Sequence, residues 1–237
     1  MTSSPPATTS APATSAGARP APRLGPVGSA VHQHIKALQS RYLKEQSDAV
    51  AALARLRRGV GRAPGEVPDL WGLTGIEPLY ERYAQGAFSE EKFVRAEEAA
   101  HTAVTLWSLH QQSHHVSRMH RRPGPELGTA VRRLTPGGAI DEPTRRRFVR
   151  AGTAATPVVL ATRLRELVLL LRREEIPLDY GLLADQLHRW TLPGGAQGVR
   201  RSWGRSYLVL AKPATPAATA GEDRQPLDQT TTEDDTP

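Results

Sequence analysis

The 237-residue sequence predicts an all-α fold, on three observations. Apolar residues recur at spacings of three, four and seven along several long segments, which puts them on one face at about 100° per residue. No window of five or more residues alternates apolar and polar as a half-buried strand would. The periodic segments stop at clusters of glycine and proline, the residues that break helices.

Each element has its own signal. Val31, Ile35, Leu38, Tyr42, Ala49, Leu53 and Leu56 form a stripe that predicts one helix over 29–58. Gly59, Gly61, Pro64, Gly65 and Pro68 end it, and a short segment follows at 77–84. Ser89 is a suitable N-cap, with Glu90 and Glu91 favourable in the first turn, so a helix is expected to about residue 113. Its stripe is Phe93, Ala96, Ala100, Val104, Trp107 and Gln111. Short helices are expected at 127–134 and 142–154. Pro157 suits the first turn of a helix reaching residue 173, with Leu160, Leu164, Leu167 and Leu171 as its seam. Asp179 can cap a helix through residue 190, and Val199, Trp203, Tyr207 and Leu210 stripe a last one. The expected organisation is a helical bundle of two small lobes over 27–212, with the lobe boundary near 114–126. Residues 1–26, rich in Pro, Ala, Ser and Thr, and the acidic stretch 213–237 are expected to be disordered tails.

The formal net charge is +7 and is unevenly placed. Residues 1–22 carry +1 and residues 213–237 carry −5, which leaves +11 on residues 23–212. Arginine supplies most of it, in the runs Arg57-Arg58, Arg121-Arg122, Arg132-Arg133, Arg145-Arg146-Arg147, Arg172-Arg173 and Arg200-Arg201. Arg165 shares a flank with Arg172, and Arg205 lies off the last apolar stripe. A planar guanidinium matches phosphate, so recurring clusters on helices point to a polyanion backbone. A pair at a helix C-terminus also complements the helix dipole, and any single pair is explained equally well that way.

Little points to catalysis. There is no cysteine, which excludes disulfides and thiolate sites and fits a reducing, cytoplasmic compartment. No secretory signal or membrane span is read; the apolar stretch 158–171 is interrupted by Arg163, Arg165 and Glu166. His110 and His114 are one helical turn apart, yet no carboxylate stands at ligand spacing, so no metal or other cofactor is assigned. His114, His115, Arg118, His120, Arg121 and Arg122 read as a mobile basic loop. Trp107, Trp190 and Trp203 sit on apolar stripes, and Trp71 alone among the tryptophans is expected to be exposed.

Taken in order, LARLRRG at 53–59, PDLWGL at 68–73, AEEAAHTAVTLWSLHQQS at 96–113, LGTAVRRL at 127–134, RRRFVRAGTA at 145–154, LRELVLLLRREEIPLDYGLLADQLHRW at 164–190 and VRRSWGRSY at 199–207 form a specific pattern. It resembles the CasB (Cse-two) family, the small subunit of the type I-E CRISPR effector Cascade. Glu126 departs from it, at a position where that family more often has a small polar residue.

The resemblance implies a non-enzymatic, all-helical subunit. It would act with a second copy of itself, with the CasC backbone and CasA large subunits, and with guide RNA and target DNA. Its basic face would help hold the target and displaced strands of the R-loop. The nucleic-acid residues then expected are Arg57, Arg58, Arg132, Arg133, Arg145, Arg146, Arg147, Arg165, Arg172, Arg200, Arg201 and Arg205. A stand-alone DNA-binding regulator is the competing reading. It needs one recognition helix, whereas these arginines are spread along the chain. A nuclease built on His110 and His114 lacks acidic ligands beside them.

Overall fold

The computed structural model describes residues 22–135 and 141–208, so most of both expected tails, and Leu210, lie outside the described residues. Among the described residues there are nine α-helices and no strand. They are α1 (Pro26–Tyr42), α2 (Ser47–Arg58), α3 (Glu77–Ala84), α4 (Glu90–Gln111), α5 (Leu127–Arg133), α6 (Glu142–Gly152), α7 (Pro157–Arg173), α8 (Tyr180–Trp190) and α9 (Gly195–Leu208). The all-α expectation holds.

The expected helix over 29–58 is two helices. Glu45 adopts φ 55°, and the Gln46 amide bonds the Arg41 carbonyl at 3.2 Å. Six residues separate Tyr42 from Ala49 on the stripe, and all but half-buried Leu43 are polar and exposed. With nothing to bury there, the chain reverses, and α1 and α2 both pack on α4. Arg41 bonds Asp48 across the turn at 2.6 Å.

Helix α4 is the central rod. Ser89 caps it by accepting from the Lys92 amide. Ala96, Ala99, Ala100 and Ala103 let its neighbours approach, and beyond them Val104, Leu106 and Trp107 are fully enclosed. The buried hydroxyls of Thr105 and Ser108 bond carbonyls of the same helix at 2.8 and 2.7 Å, so they leave no unpaired polar group.

The buried residues form one contiguous core from α1 to α9. Segment 112–126 does cross from α4 to α5, but α8 then returns onto α1 and α4. Gly28 and Gly181 make the α1/α8 crossing possible: a Cβ on Gly28 would lie 2.5 Å from the Gly181 carbonyl oxygen. Asp185 of α8 accepts the amides of Gly25 and Gly28 at 2.7 Å each and so caps α1 from across the interface. Residues 22–25, read from composition as part of the N-terminal tail, are thereby fastened to the body.

Candidate nucleic-acid interface

The arginines fall into three groups. Arg57 and Arg58 close α2, which packs on α1 and α4. Arg57 is half-buried, and Arg58 lies 3.7 Å from Asp69. On α7, Arg165 is exposed, whereas Arg172 is half-buried and donates its Nε to the Gln112 carbonyl at 3.2 Å. Arg172 thus spends one donor on the fold itself.

The third group is the largest. Helices α5 and α9 pack on each other, and α6 joins them through Phe148, which stacks on Tyr207 with centroids 5.1 Å apart. Arg132 lies over the Tyr207 ring at 5.9 Å. Arg200 lies over the Trp190 ring at 5.0 Å. This aromatic core brings Arg132, Arg133, Arg145, Arg146, Arg147, Arg200, Arg201 and Arg205 onto three helices of one packed unit. Arg145 and Arg146 share Glu142 at 3.2 and 3.6 Å. Arg133, Arg147, Arg165, Arg200, Arg201 and Arg205 are exposed and form no ion pair with any described residue.

The dipole explanation covers part of this set. Arg57-Arg58, Arg132-Arg133 and Arg172-Arg173 each occupy a last helical turn, where cations are favoured without any ligand. Arg145–Arg147 do not. Asp141 caps α6, so the triplet follows directly on its first turn, near the positive end of the helix. Arg200 and Arg201 lie in the middle of α9. The helix dipole gives neither cluster a reason to be cationic, and Glu142 partners only Arg145 and Arg146.

The expected mobile basic loop is a correction. Gln111 Nε2 donates to the carbonyls of His114 and Ser117 at 2.6 and 2.9 Å. The Leu178 amide donates to the Met119 carbonyl at 3.0 Å. The His120 amide donates to Gln39 Oε1 at 2.9 Å, and Arg122 pairs with Asp179 at 2.6 Å. A string of polar and basic residues looks like a loop in sequence, but Gln39, Leu178 and Asp179, which hold it, are distant in the chain. His110 is enclosed with Nδ1 2.9 Å from the Tyr180 hydroxyl, and burial pushes its pKa down to about 3. Trp71 is 73% exposed as expected, and Trp107, Trp190 and Trp203 are core.

One basic cluster joins residues of that segment to a cation from another element. Lys36 of α1 and Arg118 and Arg121 of the fixed segment line a cleft of about 380 Å³ with His32, Gln39 and His120. Lys36 is more than 80 residues from Arg118 and Arg121 in sequence. Only its place one helical turn after His32 hinted at a shared face.

A family model for the CRISPR-associated protein Cse2 matches residues 52–208. The chain belongs to the CRISPR-associated Cse2 family. The crystal structure of CasB from Thermobifida fusca is similar at 49% identity and a TM-score of 0.70, over 79% of this chain and 100% of that one. A Cse2-family CRISPR-associated protein from Thermus thermophilus is 26% identical with a TM-score of 0.54, over 76% of this chain and 96% of that one. The crystal structure of CasB from Thermus thermophilus gives 25% and 0.54 over the same shares. No curated protein matches the chain. Glu126, the departure from the family pattern, has a defined place here. Its Oε1 accepts from Gln186 of α8 and Ser202 of α9 at 2.6 Å each, which ties the two helices together. No helix among the described residues is long and apolar enough to cross a membrane.

Proposed function

We propose that this Cse2-family chain is a non-catalytic small subunit of an RNA-guided Cascade complex, in which its arginine surface stabilises the R-loop. The carrying observation is the placement of Arg145–Arg147 and Arg200–Arg201. They are exposed cations on packed helices where neither the helix dipole nor a full set of carboxylate partners accounts for them. Opening a DNA duplex against a guide RNA is nearly balanced in free energy, so modest backbone contacts tip it. Sequence is read by base pairing, and such a subunit needs charge and shape only. No group of three or more His, Cys, Asp or Glu among the described residues is placed to hold a metal ion, so the nuclease alternative gains no support. The stand-alone regulator requires one recognition helix, and the exposed arginines occupy several.

The test is R-loop lifetime in a reconstituted complex. Changing Arg200 and Arg201 together to Ala should shorten it severalfold, because two backbone contacts are lost. Changing Arg82 and Arg95 should do less: Arg95 is paired with Glu91, and Arg82 sits over the Phe88 ring at 5.4 Å. If assembly fails while the folded subunit persists, Arg200 and Arg201 belong to a protein interface. An unchanged lifetime for the Arg200/Arg201 variant contradicts the proposal.

A further inference from the structure

The cleft between α1 and segment 118–123 differs from the helix-borne arginines in being concave and held on both sides. Its exposed cations are Lys36, Arg118 and Arg121, and none of their side chains bonds or pairs with a described residue. Among the described residues no carboxylate lines it. The acid that acts on His32 is Asp179, which is 3% exposed. It is already engaged by Arg122 at 2.6 Å and by the Leu182 amide at 3.0 Å. Arg122 also donates to the Pro22 carbonyl, so it serves the fold while Arg118 and Arg121 face outward.

The backbone carrying these cations is held on both sides. The Met119 carbonyl accepts from the Leu178 amide at 3.0 Å, and the Arg121 amide donates to the Leu178 carbonyl at 3.3 Å. The His120 amide donates to Gln39 Oε1, and Gln39 Nε2 returns to the His120 carbonyl at 3.1 Å. Lys36 stands on the same helix as Gln39. The cations therefore flank a floor that does not have to be ordered on binding, which limits the entropy cost of gripping a ligand.

The histidine pair on that floor is a further donor. The Tyr180 amide donates to His120 Nδ1 at 3.1 Å, so the proton of the neutral ring sits on His120 Nε2. That proton is donated to His32 Nδ1 at 2.8 Å. His32 must then carry its own proton on Nε2, as an N–H donor in the cleft lining. Three cations and an N–H donor, with no acid among them, suit a phosphate group. The volume is in the range of ligand clefts.

We propose that this cleft binds a backbone phosphate of a single-stranded nucleic acid, held by Lys36, Arg118 and Arg121 with His32 as a neutral donor. The assignment rests on the nucleic-acid reading above and adds a site that no run of adjacent arginines forms by itself, because Lys36 comes from α1. It gives the strand a fixed anchor at the α1 side of the fold, on different elements from the α5–α6–α9 arginines.

The experiment uses the full chain, a fluorescent oligo-dT strand and a series of salt concentrations. Replacing Lys36, Arg118 and Arg121 together by Ala should weaken binding at least tenfold. It should also flatten the slope of log affinity against log salt by about 0.7, the value for one lost single-strand phosphate contact. Thermal unfolding should be unchanged, since these side chains hold nothing in place. Lys36→Glu alone reverses charge without touching segment 118–123 and should weaken the strand severalfold. Arg200→Ala/Arg201→Ala separates the two claims. If it weakens the strand while the triple variant and Lys36→Glu do not, the cleft is not a site and the general reading stands. If none of the variants alters affinity or slope, both readings fail. Inorganic phosphate should compete only at millimolar concentrations. Tight phosphate binding lost in the triple variant, with oligonucleotide affinity unchanged, would assign the cleft to a free anion and overturn the proposal.

Discussion

Gln39 shows how single side chains hold this fold. It is 2% exposed and bonds both backbone groups of His120 while approaching the Trp107 indole at 3.4 Å. Buried polar groups need such partners, because an unpaired one costs about 1–3 kcal/mol. The same demand governs the histidines. Burial keeps His110 and His120 neutral, with pKa values pushed down to about 3. In the unfolded chain a histidine titrates near its ordinary value of about 6.5. The folded state therefore excludes protons that the unfolded state binds. This stability is fully present above about pH 6.5 and is lost as pH falls toward 3. At pH 5 the loss is about 2 kcal/mol for each ring. Denaturant unfolding at pH 7 and pH 5 measures it. His110→Gln should be less stable at pH 7 yet lose about 2 kcal/mol less than the parent on going to pH 5. An identical loss in both proteins would show that His110 is not held neutral. None of this is legible in the sequence, where His110 stands out only as a potential metal ligand beside His114 and His120 reads as part of a mobile basic loop. Their partners lie on other helices, and no local pattern encodes them.

At the scale of elements, most helices were legible because caps and breakers are local. Pro157, Asp179 and Ser89 mark helix starts as expected. The α1/α2 break was missed because the apolar phase continues across it, and only the exposed gap between Tyr42 and Ala49 marks it. Helix contacts are a separate matter, and glycine decides two of them. A Cβ on Gly128 would lie 2.1 Å from the Trp203 carbonyl oxygen, so α5 and α9 meet backbone to backbone. Gly128→Ala should force them apart and cost about 1–3 kcal/mol. Gly204 in the same α9 has nothing within 4 Å of a built Cβ, and Gly204→Ala should stabilise by about 0.5–1 kcal/mol. Chemical denaturation of the two variants checks both signs. Equal effects at the two sites would mean that the α5/α9 crossing is looser than the structure shows.

At the scale of the whole molecule, charge is the property that the sequence carries most directly. The +11 on residues 23–212 needs no structure to be seen, and family resemblance was readable from ordered strings of helical residues. What required the fold was sorting the cations. Arg122 and Arg172 fasten the interior, Arg145 and Arg146 share Glu142, and Arg200 and Arg201 remain exposed. Lys36 joins Arg118 and Arg121 only because α1 passes beside segment 118–123. A linear run of arginines thus overstates some positions and hides others. On the function proposed above, this surface follows a backbone rather than reading bases.

The most direct test of that claim is the affinity of the purified chain for several unrelated single-stranded DNA sequences across a salt series. The account predicts weak binding, affinities within about tenfold of one another, and a linear fall of log affinity with log salt at about 0.7 per phosphate contact. Specific readers of DNA gain about 10³ or more over non-specific binding. A preference of that size for one sequence, or an affinity indifferent to salt, would contradict it.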